Sequence, residues 1–260
     1  MGVCFRRALV TIYTGSQVLE ADGIASGTTV SSGGIEQVLN GGSATGTIVN
    51  NGGTLELFGG ALTGGTIFNA GGILEFGSCY MGVGNVVSSG LTLEVASGGI
   101  ASGTTVNSGG LESVLSGGIA SATTLSGGTL EVASGGSTGS GAVTFTNAGG
   151  ILQLDASQSF HGLIAGFASP SGVTEEIDLG DISFGKKTKE SFKEDKNHLS
   201  GTLTVTDGTH TANLTLLGQY SAQNFTLASD GHGGTMVTDP QHHPSLVGSA
   251  GSPVLAPQPT

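Results

Sequence analysis

Apolar and polar positions recur along residues 14–154 with a period of about 19 residues. Within each unit, short runs alternate between apolar and polar side chains, as in TLEL at 54–57 and TTVN at 104–107. Alternation with a period of two is typical of half-buried β-strands. Paired glycines separate the runs, so each unit is predicted to form a strand, a loop and a second strand.

The units align on one glycine, and two further columns then contain only apolar side chains. The glycine column is Gly33, Gly52, Gly71, Gly90, Gly109, Gly127 and Gly149. The first apolar column is Val38, Leu57, Phe76, Val95, Val114, Val132 and Leu154, and the second is Val30, Val49, Phe68, Val87, Val106, Leu125 and Phe145. The segment GIASGTTVSSGG at 23–34 returns as GIASGTTVNSGG at 99–110, which identifies the period as a true internal repeat.

A polar column precedes the first apolar column by one residue, so it points outward. Its members are Gln37, Glu56, Glu75, Glu94, Ser113, Glu131 and Gln153. One 19-residue unit cannot bury its apolar face, so the units must stack as rungs. The expected fold is all-β, a right-handed parallel β-helix (β-solenoid) of about seven 19-residue coils. Its corner glycines are expected to have positive φ, and Asn and Ser side chains beside the corners are expected to stack in ladders.

Four segments are predicted from where this register begins and fails. Residues 1–13 form an N-terminal segment, 14–154 the β-solenoid, 155–239 a small β module that caps it, and 240–260 a proline-rich disordered tail. Within the module, Asp207 and Gly208 lie between two alternating runs and predict a type I′ hairpin.

Composition and charge exclude several classes of partner. The chain contains 49 glycines, only 10% charged residues and a net charge of −12. No Lys or Arg lies between Arg7 and Lys186, which argues against a nucleic-acid partner and an anionic membrane surface. No apolar run is long enough to span a membrane. Arg6 and Arg7 precede only a short apolar run, so no clear signal peptide is predicted.

Candidate chemistry is sparse. The coils contain no His, Lys or Arg that could activate a serine or threonine. The acidic column forms a single file, which predicts a solvated face, and a calcium site is the alternative. In the module, Asp178, Asp181, Asp207 and Asp230, with His210 and His232, could form a site, but none has ligand spacing, so turn and surface roles are predicted. We expect no enzyme, and no catalytic, cofactor or metal site.

The phrases GGTLEV at 127–132 and ASGTTVNSGG at 101–110 resemble the passenger repeats of AIDA-type autotransporter adhesins, over about residues 14–154. The later phrases GFASPSGVTEEIDLGDISF and NFTLASDGHGGTMVTD resemble segments that follow such repeats in large secreted proteobacterial proteins. The resemblance implies a secreted or cell-surface protein that acts in adhesion, autoaggregation or biofilm. It also implies self-association or binding to surface glycans as the partner, and a glycosyltransferase that modifies exposed Ser and Thr.

Two functional hypotheses follow from the sequence. The first is an adhesin-like structural repeat protein, and the alternative is a carbohydrate-binding or carbohydrate-active β-helix protein. No autotransporter-type barrel is recognised before Thr260. The adhesion target, the secretion route and the relation to a larger autotransporter stay open.

Overall fold

A computed structural model describes residues 10–168, 173–196, 198–221 and 225–239. Within these residues the chain is all-β, apart from one short 3₁₀ turn at Ser157–Ser159. The predicted β-solenoid of stacked coils of about 19 residues is confirmed. The first nine residues of the N-terminal segment and the predicted tail at 240–260 lie outside the described residues.

The strands are short and follow one another at regular intervals. In chain order they are β1 (Thr11–Ile12), β2 (Gly15–Leu19), β3 (Ile24–Ser26), β4 (Thr29–Val30), β5 (Gly34–Val38), β6 (Ser43–Thr45), β7 (Ile48–Val49), β8 (Thr54–Leu57), β9 (Leu62–Gly64), β10 (Ile67–Phe68), β11 (Ile73–Phe76), β12 (Met81–Val83), β13 (Val86–Val87), β14 (Thr92–Val95) and β15 (Ile100–Ser102). They continue with β16 (Thr105–Asn107), β17 (Leu111–Val114), β18 (Ile119–Ser121), β19 (Thr124–Ser126), β20 (Thr129–Val132), β21 (Val143–Phe145), β22 (Ile151–Leu154), β23 (Leu163–Ala165), β24 (Glu176–Leu179), β25 (Lys189–Glu194), β26 (Ser200–Thr206), β27 (Thr211–Leu217), β28 (Thr226–Ser229) and β29 (Thr235–Thr238).

The coils have three faces. The acidic face is an 11-stranded sheet in the order β2-β5-β8-β11-β14-β17-β20-β22-β24-β29-β28. The second face consists of two 3-stranded sheets, β3-β6-β9 and β12-β15-β18. The third face consists of the 4-stranded sheet β1-β4-β7-β10 and the 8-stranded sheet β13-β16-β19-β21-β23-β27-β26-β25. The second and third faces are thus both interrupted at the same level of the stack.

The predicted interior columns form the core. Every residue of the first apolar column is at most 5% exposed, and the second column is also buried except for Phe68, which is half-buried. The seven aligned glycines all have positive φ, as predicted. Their amides join consecutive corners, as in the 2.8 Å bond that Gly33 N donates to Gly52 O. Backbone pairing and aliphatic packing therefore follow the same repeat.

The parallel stack extends beyond both ends of the predicted range 14–154. Strand β1 pairs in parallel with β4, so the third face begins before residue 14. Strand β24 stacks in parallel on β22, with Ile177 aligned to Leu152, and β27 stacks on β23. The solenoid therefore has about eight turns and continues into the region predicted as a separate module. The step from Ile151 in β22 to its partner Glu176 in β24 is longer than 19 residues, but the strand alternation stays intact.

Antiparallel strands end the stack. On the third face, β25, β26 and β27 form an antiparallel meander, and on the acidic face β29 and β28 follow β24 in antiparallel order. The hairpin between β26 and β27 is present, but the predicted type I′ turn is wrong. Residues 207–210 form a four-residue loop in which Gly208 has a φ of 93° and Asp207 does not have positive φ. The Asp207 side chain holds this loop by accepting backbone hydrogen bonds, as described below.

Within the described residues, no helix is long and apolar enough to cross a membrane.

Candidate functional surfaces

The acidic face carries a ladder of carboxylates. Glu56, Glu75 and Glu94 occupy the same register position on three successive strands. Partial burial, followed by repulsion from Glu56 and Glu94, raises the pKa of Glu75 to about 7. Burial, followed by Glu131 and Glu56, also raises the pKa of Glu94. At one end, Gln37 Nε2 donates a 2.5 Å hydrogen bond to Glu56 Oε2. The ladder therefore lies at the surface but carries less than its full negative charge near neutral pH.

The carboxylates of the ladder do not converge on a point. Residues in one register column are displaced along the stack, one per coil, whereas a calcium ion needs several oxygen ligands around one centre. Among the described residues, no group of three or more His, Cys, Asp or Glu side chains could hold a metal ion. The geometry thus gives the calcium alternative no support.

A corner ladder is visible for one amide pair. Asn69 Nδ2 donates a 2.8 Å hydrogen bond to Asn50 Oδ1 of the previous coil. This is the stacking predicted for the Asn and Ser column beside the corners. It links adjacent coils by side chains in addition to the backbone.

The second and third faces carry no acidic or basic side chain on any of their strands from β1 to β21. Their outward positions hold Ser, Thr, Asn, Ile, Leu, Val and Met instead. Five apolar side chains cluster there with 55–72% of their surface exposed: Leu62, Ile67, Met81, Val83 and Val86. On the strands from β1 to β21, outward charge is therefore confined to the acidic face, and the strands of the other two faces are neutral and partly apolar.

Two carboxyl groups on the acidic-face strands from β2 to β20 point into the coils, and neither was among the predicted candidate residues. Glu36 and Glu112 are fully buried. Thr47 Oγ1 donates a 2.7 Å hydrogen bond to Glu36 Oε2, and Thr123 Oγ1 donates a 2.8 Å bond to Glu112 Oε2. Burial is the main cause that raises the pKa of both carboxyls, against these hydrogen bonds. The signal was present in the alternation, since both residues lie two positions before the first apolar column.

The predicted acids and histidines of the end region do not form one site. Asp207 Oδ2 lies 2.9 Å from His210 Nδ1 in the turn between β26 and β27. Asp207 Oδ1 accepts hydrogen bonds of 2.7 Å from the backbone nitrogens of Thr209 and His210. Hydrogen bonds from the His210 backbone and side chain, and then from Thr209, hold the pKa of Asp207 well below its usual range. This pair closes an exposed hairpin.

Asp230 and Asp181 also support loops. Asp230 Oδ1 accepts hydrogen bonds from the backbone nitrogens of residues 232–234, at 2.7–2.9 Å. Asp181 accepts hydrogen bonds from Ser157 and Gln158 across the coil boundary. Only Asp178 comes close to Asp230 and His232, and burial, followed by repulsion from Asp230, raises the pKa of Asp178. These contacts fit the predicted turn and surface roles.

A solved fragment of another protein is similar to part of this chain. No protein-family description matches the chain. No curated protein matches it either. The solved fragment of TibA, hyper-glycosylated in a reaction catalysed by TibC, shares 36% sequence identity over 64% of this chain, with a TM-score of 0.47. The match spans 61% of that fragment. The architecture described above follows from this chain's own coils.

Proposed function

We propose that this protein is a surface-exposed or secreted, non-enzymatic adhesin-like scaffold whose two neutral faces make its adhesive contacts. The observation that carries the proposal is the separation of charge in the coils. From β1 to β21, the strands of the second and third faces are uncharged, and the outward carboxylates on the strands of these coils lie on the acidic face. A chain with a net charge of −12 can approach a second copy or a neutral surface through these faces without opposing carboxylates.

The apolar side chains on the neutral faces supply the attraction. Ile24 on the second face is 57% exposed, and Ile48 points outward from the third face in register with Ile67. Exposed apolar groups that form a patch mark contact surfaces, because burying them removes apolar area from water. The regular stack repeats such positions along the rod, so many weak contacts can act together.

Substitutions that add one charge to each face test this role. The chain is displayed on cells or beads as the wild type, as Ile24→Glu, as Ile48→Glu and as Val18→Glu. Val18 lies outward on the acidic face and is 45% exposed, so Val18→Glu is the charge-matched control. Aggregation and adhesion to glycan-coated and bare surfaces are measured. Loss in the first two variants with retention in Val18→Glu supports the proposal, and equal behaviour of all three contradicts it.

Exposed hydroxyl groups at the corners of the coils make a glycosyltransferase a proposed partner. Ser32, Ser89, Ser97, Ser108 and Ser116 are exposed at the glycine corners. The TibA fragment is hyper-glycosylated through TibC, and we propose the same class of modification here. Co-expression with a glycosyltransferase of that class, followed by peptide mass spectrometry, should place glycans on corner serines. An unmodified chain would contradict this part of the proposal.

A further inference from the structure

The coil stack opens on two of its three faces at one level, which we call the seam. The seam lies between β9 and β10 of one coil and β12 and β13 of the next. On the second face β9 pairs only with β6, and on the third face β10 pairs only with β7. At the same level, β8 and β11 of the acidic face remain paired over four residues. The seam therefore opens away from the acidic face.

The missing contacts are backbone hydrogen bonds that the neighbouring coils do form. Ile67 N donates to Thr47 O at 2.8 Å below the seam, and Thr105 N donates to Asn85 O at 2.8 Å above it. Across the seam, within the described residues, the equivalent bond from Val86 N to Thr66 O is not formed. On the second face Ile100 N donates to Tyr80 O at 2.9 Å, but Met81 N has no such bond to Ala61.

The corner and the end of the third-face strand show the same gap. Gly46 N donates to Gly64 O at 2.7 Å and Gly84 N to Ser102 O at 2.8 Å, whereas the described residues show no bond from Gly65 N to Val83 O. Asn69 N donates to Val49 O at 2.9 Å, whereas Ser88 N makes no such bond to Phe68 O. Both edges of the seam therefore present main-chain donors and acceptors at strand spacing.

Solvent reaches positions that are buried in the other coils. Thr63 occupies the inward column of Ala44 and Ala101, which are fully buried, yet Thr63 is exposed. Phe68 is half-buried although Val49 and Val87 in the same column are buried. In addition, Asn85 Nδ2 is buried with no hydrogen-bond partner among the described residues. Inward positions at the seam are thus accessible and incompletely satisfied.

The rim of the seam is apolar and uncharged. Leu62 and Ile67 lie on its lower edge, and Met81, Val83 and Val86 lie on its upper edge, all more than half exposed. None of the four strands that border the seam contains an ionisable side chain. A charged segment buried there would find no ion partner and would pay a desolvation cost.

We propose that the seam docks an extended, uncharged peptide segment of a partner protein by β-augmentation. Unpaired main-chain groups on a strand edge are complementary to another main chain, which supplies alternating donors and acceptors at the same spacing. The segment pairs with the free amides of Val86 and Ser88 and with the free carbonyls of Thr66 and Phe68. Its outward side chains pack on the apolar rim, which favours β-branched and aliphatic residues over charged ones.

A synthetic peptide of residues 99–106, GIASGTTV, is a suitable probe. In the structure this segment pairs with β12 and β13 from the other side, through β15 and β16. Hydrogen exchange of the full chain is followed with and without the peptide. Free Met81, Val86 and Ser88 amides should exchange at least about 100-fold faster than those of Ile100 and Thr105, and the peptide should slow them about 10-fold or more.

Variants and peptide analogues separate backbone docking from other binding. Val86→Pro removes an N–H that is unpaired in the structure, and Val86→Ala keeps it. We expect Val86→Pro to weaken peptide binding at least about tenfold by fluorescence anisotropy, and Val86→Ala to bind as the wild type. A peptide N-methylated at alternate residues should also fail to bind, without any change to the protein. A peptide with aspartates in place of its threonines should bind more weakly.

Three results would overturn the proposal. Slow exchange of the Met81, Val86 and Ser88 amides in the free chain would mean that the seam is closed. Equal binding of the native and N-methylated peptides would mean that no strand pairing occurs. If these amides became protected from hydrogen exchange as the protein concentration rises, in the absence of peptide, the seam would be assigned to a second copy of the chain. The Ile24 and Ile48 variants lie outside the seam, so failure of either proposal can be recognised separately.

Discussion

Thr123 Oγ1 donates a 2.8 Å hydrogen bond to Glu112 Oε2 in the interior of the coil stack, between residues 11 positions apart in the chain. The same contact occurs between Thr47 and Glu36, four repeats earlier, at 2.7 Å. In each case the glutamate occupies an inward column that holds leucine in most other coils, as at Leu55 and Leu93. Burial there penalises the charged form of a carboxyl group and so raises its pKa.

The first prediction concerns the pH dependence that Glu112 creates. Burial raises the pKa of folded Glu112 above its usual value of 4.5. A raised pKa in the folded state means that the folded state binds the proton more tightly than the unfolded state. Protonated Glu112 therefore contributes to the free energy of unfolding below pH 4.5, and this contribution is lost as the pH rises through the folded pKa. Urea unfolding between pH 5 and 8 should show a steeper loss of stability for the wild type than for Glu112→Gln. Equal slopes would contradict the prediction.

The second prediction separates the hydrogen bond from the buried carboxyl. Glu112→Leu restores the leucine of the neighbouring coils but leaves the Thr123 hydroxyl buried without its acceptor, which costs about 1–3 kcal/mol. The double variant, Glu112→Leu with Thr123→Val, removes both polar groups. It should be more stable than Glu112→Leu alone by about 1 kcal/mol or more. The denaturant midpoints of the wild type, Glu112→Leu, Thr123→Val and the double variant at pH 7 measure the coupling between the two side chains. A double variant that is less stable than Glu112→Leu would refute it.

The interior acids show how far the sequence determines this core. Alternation around Val38 and Val114 requires Glu36 and Glu112 to point inward, so their burial could be inferred from the pattern. Their partners could not, because Thr47 and Thr123 lie 11 residues further along the chain, beside another face of the turn, and the contact depends on how the turn closes across the interior. The same applies at the end of the stack, where β24 keeps the alternation of β22 although the loop before it breaks the 19-residue period.

The third prediction concerns the carboxylate ladder. The pKa of Glu75 is raised to about 7, first by burial and then by Glu56 and Glu94. The contribution of protonated Glu75 to the free energy of unfolding is therefore present below pH 4.5 and is lost as the pH rises through about 7. Because Glu75 is partly exposed, solvent screening limits the effect to about 1 kcal/mol. Glu75→Gln should flatten the fall in melting temperature between pH 5 and 8, whereas Glu190→Gln, on the distant strand β25, should follow the wild-type curve.

The fourth prediction compares two glycine positions. Gly103 has a φ of 66° but open surroundings, since an added Cβ would meet only Gly84 N at 3.9 Å. Gly103→Ala should therefore cost only the left-handed backbone strain, about 1–2 kcal/mol. At Gly118 an added Cβ would overlap the carbonyl oxygen of Val95 in the coil below. Gly118→Ala must push two coils apart and should cost about 3 kcal/mol or more. Chemical denaturation of both variants tests this order, and a reversed order would contradict it.

The seam shows what the repeat pattern could not predict. Phe68 and Phe76 fit the apolar columns by type, and the alternation assigns both to the interior. Whether they fit by size depends on residues in other positions of the coil and in the next coil. Phe76 is fully buried and its ring centroid lies 4.9 Å from that of Tyr80, whereas Phe68 is left half-buried beside the open edge. The aligned residues of one column show which positions are apolar. The spacing between two coils, however, follows from the combined packing of several columns.

The last prediction tests that packing through Phe76 and Gly82. An added Cβ at Gly82 would overlap the Phe76 ring, and the two neighbouring coils place Val95 with Ala101 and Val114 with Ala120 at the same positions. Phe76→Val alone leaves a cavity and should cost about 2–4 kcal/mol. Gly82→Ala alone forces the ring aside and should cost about 1–3 kcal/mol. Together they recreate the valine–alanine pair, so the double variant should be destabilised by at least about 1 kcal/mol less than the sum of the two single costs.

In the double variant, the Met81 and Val86 amides should also exchange more slowly, because the coils can then approach and form the missing bonds. Strictly additive costs with unchanged exchange would show that this aromatic residue does not hold the seam open.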